Sequence, residues 1–294
     1  MEQIINVLGP TFFAIVLGYL FGRATRGAGA AALIDVALFI ATPCLVFYSM
    51  QASTIVISEA LYLWASTVLV MTGSFVLAWL AFGTRKKGGP GLYLPIVFSN
   101  TINIPLPIIY LAFGDVGVAN LVLYGIPNLL LVYSLGVYVA SGHKAVGQGV
   151  KTVLKTPLVY AAVIGLVVSL TGTRLPAAVV NSVEFVGRAA VPLMLLVLGM
   201  NMGRFRFSQI PLTLIASVIR MGGGFLLGLS AVWLLGLTGI PRAVVIFQAA
   251  MPGAVVTSVL CTKYNNQAEL ASSIVLSTTL MAVGVIPALL YYLT

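Results

Sequence analysis

The chain has 294 residues, of which 60% are hydrophobic and 7% charged, and its mean hydropathy is +1.11. A soluble domain carries about 25% charged residues, so this composition describes an integral membrane protein with no appended soluble domain. A net charge of +9 would point to nucleic acid in a soluble protein, but here the cations lie between apolar segments, where they set topology and leave no nucleic-acid surface.

A membrane span needs roughly 20 apolar residues. In chain order such segments run over roughly 4–22, 32–51, 58–83, 92–113, 116–140, 157–172, 177–202, 208–237, 243–262 and 268–293, which predicts ten spans. They are apolar on every side, whereas barrel strands alternate, so a β-barrel is excluded. The start, Met1 to Ile5, lacks the basic region of a signal peptide, and the first span is expected to remain as a helix.

Alternate loops collect the cations. One side receives Arg23, Arg26, Arg85, Lys86, Lys87, Lys144, Lys151, Lys155, Arg204, Arg206 and Lys263, and the other only Arg174 and Arg242. This asymmetry predicts a multi-pass protein of the cell (inner) membrane with both termini outside. The polar, cationic loop 141–156 separates residues 1–140 from 157–294, five spans from five. An odd number per half requires the halves to be inverted. Ala41-Thr42-Pro43-Cys44-Leu45 through Met50 resembles Ala190-Val191-Pro192-Leu193-Met194 through Met200, at the same place in each half. The expected fold is all-α, ten transmembrane helices as a five-plus-five inverted repeat.

Two spans are broken. Residues 92–113 are interrupted at Asn100-Thr101-Ile102-Asn103-Ile104-Pro105-Leu106-Pro107, and 243–262 at Ala250-Met251-Pro252-Gly253. Prolines at i and i+2 remove two donors and clash with the preceding turn. Unwound backbone at membrane depth survives only inside protein or beside water, and such breaks in both halves point to a carrier's central site. Pro127 and Pro287 form a further pair in spans five and ten.

Around the breaks lie Ser99, Asn100, Thr101 and Asn103, and Gln248, Thr257 and Ser258, all uncharged. Two half-helix N-termini with neutral amides suit a small carboxylate. The other reading is that Asn100 and Asn103 cap the broken backbone, and the two roles are compatible. Asn128 either faces the same cavity or hydrogen-bonds a neighbouring helix.

Charges inside spans are functional candidates by default. Asp35 lies near the cytoplasmic end of span two, where it reaches water. Glu184 and Arg188, at i and i+4, are placed to pair on one face. Arg220, ahead of Gly222-Gly223-Gly224, has no acidic partner in its own segment and must reach another helix, a carbonyl or an anion. These four are the candidates for coupling or gating. Neither break contains a carboxylate, which argues against proton or cation loading there.

His143 is the single histidine, and Cys44 and Cys261 fall in separate apolar segments, so neither a metal site, a disulfide framework nor a catalytic cluster is expected. No phosphate-loop motif is present, so no nucleotide cofactor is expected, and the energy source would be a gradient.

The stretch Gln248-Ala249-Ala250-Met251-Pro252-Gly253-Ala254-Val255, with Lys263-Tyr264-Asn265-Asn266-Gln267-Ala268-Glu269-Leu270-Ala271-Ser272, resembles the C-terminal signature of the auxin efflux carrier family. Pro43, the stretch Pro192 to Gly199, and the first break resemble its other landmarks. The resemblance implies two helices crossing at prolines, here Pro105 or Pro107 and Pro252, and a homodimer. It further implies fixed scaffold helices one, two, six and seven, and moving transport helices three to five and eight to ten. Two departures from the family pattern are the second proline of the first break and the glycines after Arg220. The expected function is secondary transport of a small organic anion, auxin-like or a mono- or dicarboxylate. The substrate-site candidates are Asn100, Thr101, Asn103, Pro105, Pro107, Asn128, Gln248, Met251, Pro252, Gly253, Thr257 and Ser258. The alternatives are a sodium- or proton-coupled carrier of a larger amphipathic acid, and a non-transporting membrane sensor.

Overall fold

The computed structural model describes residues 2–25, 28–54, 56–83, 89–142, 156–201 and 208–293. Among the described residues every regular element is helical. Helix α1 spans Glu2–Ala24, and α2 (Ala30–Ala52) and α3 (Ile57–Phe82) follow. The first break separates α4 (Pro90–Val97) from the helix Pro105–Ala140. Gly114, at φ 60° and ψ −153°, divides that helix into α5 (105–113) and α6 (115–140). Its backbone angles, which side-chain-bearing residues seldom adopt, explain a glycine there.

Beyond the central loop come α7 (Pro157–Thr171), α8 (Ala177–Met200) and α9 (Ile210–Leu235). The second break lies between α10 (Gly239–Ala249) and α11 (Val255–Lys263), and α12 (Ala268–Leu293) closes the chain. Helix thus covers each of the ten apolar segments, and both broken ones contain a gap. Among the described residues six helices, α2, α3, Pro105–Ala140, α8, α9 and α12, are long and apolar enough to cross a membrane. The protein is a multi-pass helical membrane protein. Large apolar side chains such as Phe13, Trp79, Phe185 and Trp233 point outward, as lipid contact requires. Arg26, Arg85, Lys86, Lys87, His143, Lys144, Lys151, Lys155, Arg204 and Arg206 lie outside the described residues.

Small residues decide the closest packing. A Cβ on Gly18 would overlap the Leu196 backbone, and one on Gly199 would overlap Ile15. Helices α1 and α8 therefore touch backbone to backbone, the small-residue mode of membrane helices. Gly165 of α7 and Gly187 of α8 abut the backbone of α2 in the same way, at Phe47 and at Cys44 and Leu45. Helices α1, α2, α7 and α8 form one packed group through these contacts. The other group gathers α3, α6, α9 and α10 on one side and α4, α11 and α12 on the other. Its centre is fully buried at Leu121, Val244, Ile246, Phe247 and Met251.

Among the described residues three helices widen into a π-turn, one of them α6 at Val132–Gly136. A wide π-turn at Ala37–Ala41 precedes Pro43, whose ring would press on the carbonyl four residues back. Another, Ile219–Gly223 in α9, carries Arg220.

Candidate functional site

The two breaks lie against each other. Ser99 and Gly253 form an isolated antiparallel bridge, in which Asn100 N–H donates to the Pro252 carbonyl at 2.8 Å and Ala254 N–H donates to the Phe98 carbonyl at 2.9 Å. Backbone freed by each gap is thereby satisfied by the other, which meets the demand of a dry interior. Gly253 is required there, because a Cβ would sit 2.7 Å from the Pro95 carbonyl oxygen.

Side chains brace this contact. Asn128 Nδ2 donates to the Ser99 carbonyl at 3.1 Å, Gln248 Nε2 to the Thr101 carbonyl at 3.1 Å, and Gly253 N–H to Thr278 Oγ1 at 3.2 Å. Asn100 Oδ1 accepts the Asn103 N–H at 3.0 Å, closing the turn that leads into α5.

The position of the prolines corrects the expectation that the first crossing falls at Pro105 or Pro107. The bridge lies upstream, at Ser99 and Asn100, and both prolines occupy the first turn of α5. The physical reason is that first-turn amides have no intrahelical acceptor, so a proline there loses nothing and starts the helix. Pro252 does lie at the contact.

Each break ends one half-helix and starts another. The C-terminal ends of α4 and α10 converge on Arg220, which is fully buried. Its Nη1 donates to the Ile96 carbonyl at 2.8 Å and to that of Val97 at 3.4 Å, and its Nη2 donates to the Ala249 carbonyl. The N-terminal ends of α5 and α11 open into a cavity of about 1040 Å³ whose wall includes Asn100, Asn103 and Ile104 from one break and Val255 and Ser258 from the other. Helices α2, α8 and α12 complete it with Leu38, Met194, Leu198 and Leu276, together with Ser272, Thr279 and Glu269. The chamber is thus mostly apolar, with two positive dipole ends, a few amides and hydroxyls and one carboxylate.

Of the substrate-site candidates, Asn100, Asn103 and Ser258 line this cavity. Thr101, Asn128, Gln248, Met251, Pro252, Gly253 and Thr257 are buried behind the wall around the paired breaks, and Pro105 and Pro107 are buried at the start of α5. Arg220 is likewise behind the wall, bound to carbonyls, so it does not contact an anion in the cavity. Asp35 is exposed on α2, beside the wall residue Ile34. Glu184 and Arg188 form an ion pair on α8, with the Arg188 side chain 65% exposed.

Three residues that the sequence does not single out as site candidates take part in the structure. Glu269, in the first turn of α12, brings a carboxylate to the cavity wall; its place in the signature stretch was the available signal. Thr278, which accepts the Gly253 N–H, is one of several hydroxyls in an apolar helix, and the sequence carries no signal that sets it apart. Asp115, just after the Gly114 kink, accepts a 2.8 Å hydrogen bond from Ser49 Oγ on α2 and ties the two helix groups together. Among the described residues no cluster of three potential metal ligands occurs.

Residues 143–292 match the model of a family described as membrane transport protein. The chain is 24% identical over 299 residues to an uncharacterized transporter of Methanothermobacter thermautotrophicus, covering 97% of this chain and 96% of that protein. It is 26% identical over 264 residues to an uncharacterized transporter of Methanocaldococcus jannaschii, covering 84% of each. With helices that cross a membrane, two mutually bonded breaks and a family match over half its length, the chain belongs to the auxin efflux carrier-like family of membrane transport proteins.

Proposed function

We propose that the protein is a secondary transporter of a small organic anion, auxin-like or a mono- or dicarboxylate, working by alternating access at the crossed breaks. The observation that carries this reading is the convergence of the α5 and α11 N-termini, with Asn100, Asn103 and Ser258, on one cavity. The two helix dipole ends attract a carboxylate without needing a full counter-charge; with prolines at 105 and 107 and the Leu106 N–H bonded to the Ile102 carbonyl, α5 contributes its dipole, and the side-chain amides of Asn100 and Asn103 are the donors on that side. The apolar walls then accept the rest of the molecule.

In this proposal the helices form ten spans as a five-plus-five inverted repeat, 1–140 and 157–294, joined by a cytoplasmic loop 141–156. The antiparallel bridge supports it, since inverted halves bring equivalent segments together running in opposite directions. Helices α1, α2, α7 and α8 are the scaffold, and the rest are the transport unit. The scaffold also mediates a homodimer, and the protein sits in the cell (inner) membrane with both termini outside. The cavity then opens towards the cation-rich cytoplasmic side, and the Ser49–Asp115 hydrogen bond closes the opposite side.

A second reading, a carrier of a larger amphipathic acid, is favoured by the cavity volume of about 1040 Å³, large for a lone dicarboxylate. Purified protein in liposomes, offered labelled mono- and dicarboxylates and a bulkier amphipathic acid, separates the two. Saturable flux that Asn103→Ala reduces supports transport. Tight binding without flux identifies a sensor, and neither binding nor flux with any anion overturns the proposal.

A further inference from the structure

Arg220 presents a buried charge without a buried counter-charge. It is 0% exposed, and among the described residues the ion pair within 4.0 Å is Arg188 with Glu184, elsewhere. An isolated buried cation is strongly unfavourable unless dipoles replace its water. Here the dipoles are the carbonyls of Ile96, Val97 and Ala249, the C-terminal ends of α4 and α10, where each half-helix carries its negative pole.

One planar guanidinium thus holds both breaks. Its fork geometry lets two nitrogens reach two helices at once, which a single ammonium does poorly. Helix α9 has to come close for this: a Cβ on Gly224 would overlap both the Ala249 carbonyl and Arg220 Nη2. Arg220 lies within the π-turn Ile219–Gly223.

In broken-helix carriers, unwound carbonyls and half-helix C-termini are the groups that hold a sodium ion. We infer that Arg220 is a built-in cation that takes that electrostatic place permanently, so that the crossing is complete without a sodium ion and transport does not depend on one. This deepens the carrier reading and rests on it only where flux is concerned. Two groups compete with the inference: the side-chain oxygens of Asn128 and Gln248 are buried without a hydrogen-bond partner, and a sodium ion that entered would use them. Arg220, bonded to the residue after Gln248, repels it.

The test has an arm independent of transport. Thermal unfolding of the purified full chain should have the same midpoint in sodium, potassium and choline chloride at equal ionic strength. Sodium-specific stabilisation of the wild type overturns the inference, whether or not any variant folds. Arg220→Ala should unfold at lower temperature, and guanidinium at about 10 mM should recover much of the difference while the neutral isostere urea does not, because a ligand bound only to the folded state raises its stability. A folded variant that matches the wild type, or that guanidinium does not rescue, also overturns it. In liposomes, wild-type anion flux should change less than about twofold when choline replaces sodium, a factor too small for an obligatory coupled ion. Abolition of flux in choline refutes the inference, whereas absence of flux with every anion refutes the carrier proposal and leaves the unfolding comparison to decide on Arg220.

Discussion

The amide of Asn100 donates to the carbonyl of Pro252 across 152 positions of sequence, at 2.8 Å, so each interrupted helix is the other's hydrogen-bonding partner. Gly253 makes that approach possible. Gly253→Ala forces its methyl against the Pro95 carbonyl, and overpacking of this kind costs about 1–3 kcal/mol. Its unfolding midpoint should fall and its flux should be lost, whereas Gly284→Ala, where a Cβ meets nothing within 4 Å, should leave both unchanged.

Asn103 and Asn128 should separate under substitution. Asn103 lies on the cavity wall, so Asn103→Ala should weaken anion affinity, seen as a raised KM with little change in stability. Asn128 holds the Ser99 carbonyl. Asn128→Ala leaves that buried acceptor without its donor, at a cost of about 1–3 kcal/mol, and should lower the unfolding midpoint more than it raises KM.

Glu269 places a negative charge beside an anion's path. Glu269→Gln should lower the KM of a dicarboxylate by more than that of a monocarboxylate, and the gain should shrink at high ionic strength, where exposed charges are screened over about 8–10 Å. Equal effects on both substrates would show that the carboxylate acts through helix capping alone.

Ser49 and Asp115 join α2 to the start of α6. A hydrogen bond to a charged group is worth about 1.5–3 kcal/mol, enough to shift a two-state population tenfold or more. Asp115→Ala should shift the protein away from the described conformation. The rate at which a thiol reagent modifies Leu276→Cys in the cavity wall, with Cys44 and Cys261 replaced, should fall; an unchanged rate would show that the bond does not bias the equilibrium.

Much of the helical layout was legible because lipid demands continuous apolar segments, and both interruptions stood out as polar and proline-rich exceptions. Which residues face the cavity was not legible. Asn100 and Gln248 look alike in sequence, yet one reaches the chamber and the other braces backbone, because that choice depends on the direction in which each half-helix leaves the bridge. Pro105 misled for a related reason: a proline marks either where a helix fails or where it begins, and the three-dimensional pairing of Ser99 with Gly253 decides between them. Asp115 and Glu269 were hidden by lying at helix ends, where charge is ordinary, and only the fold brings Ser49 or the chamber to them.

The contact of Gly18 and Gly199 with opposing backbone leaves the seam between α1 and α8 without intervening side chains. Such a seam has no rotamers to rearrange and nothing to slide over, so it behaves as a weld. The boundary between α2 and the Pro105–Ala140 helix is different, being built of side chains and fastened by a hydroxyl on a carboxylate. Backbone meets backbone at Gly18, Gly165, Gly187 and Gly199 as welds, whereas Ser49 and Asp115 meet as a clasp that a single rotamer change undoes.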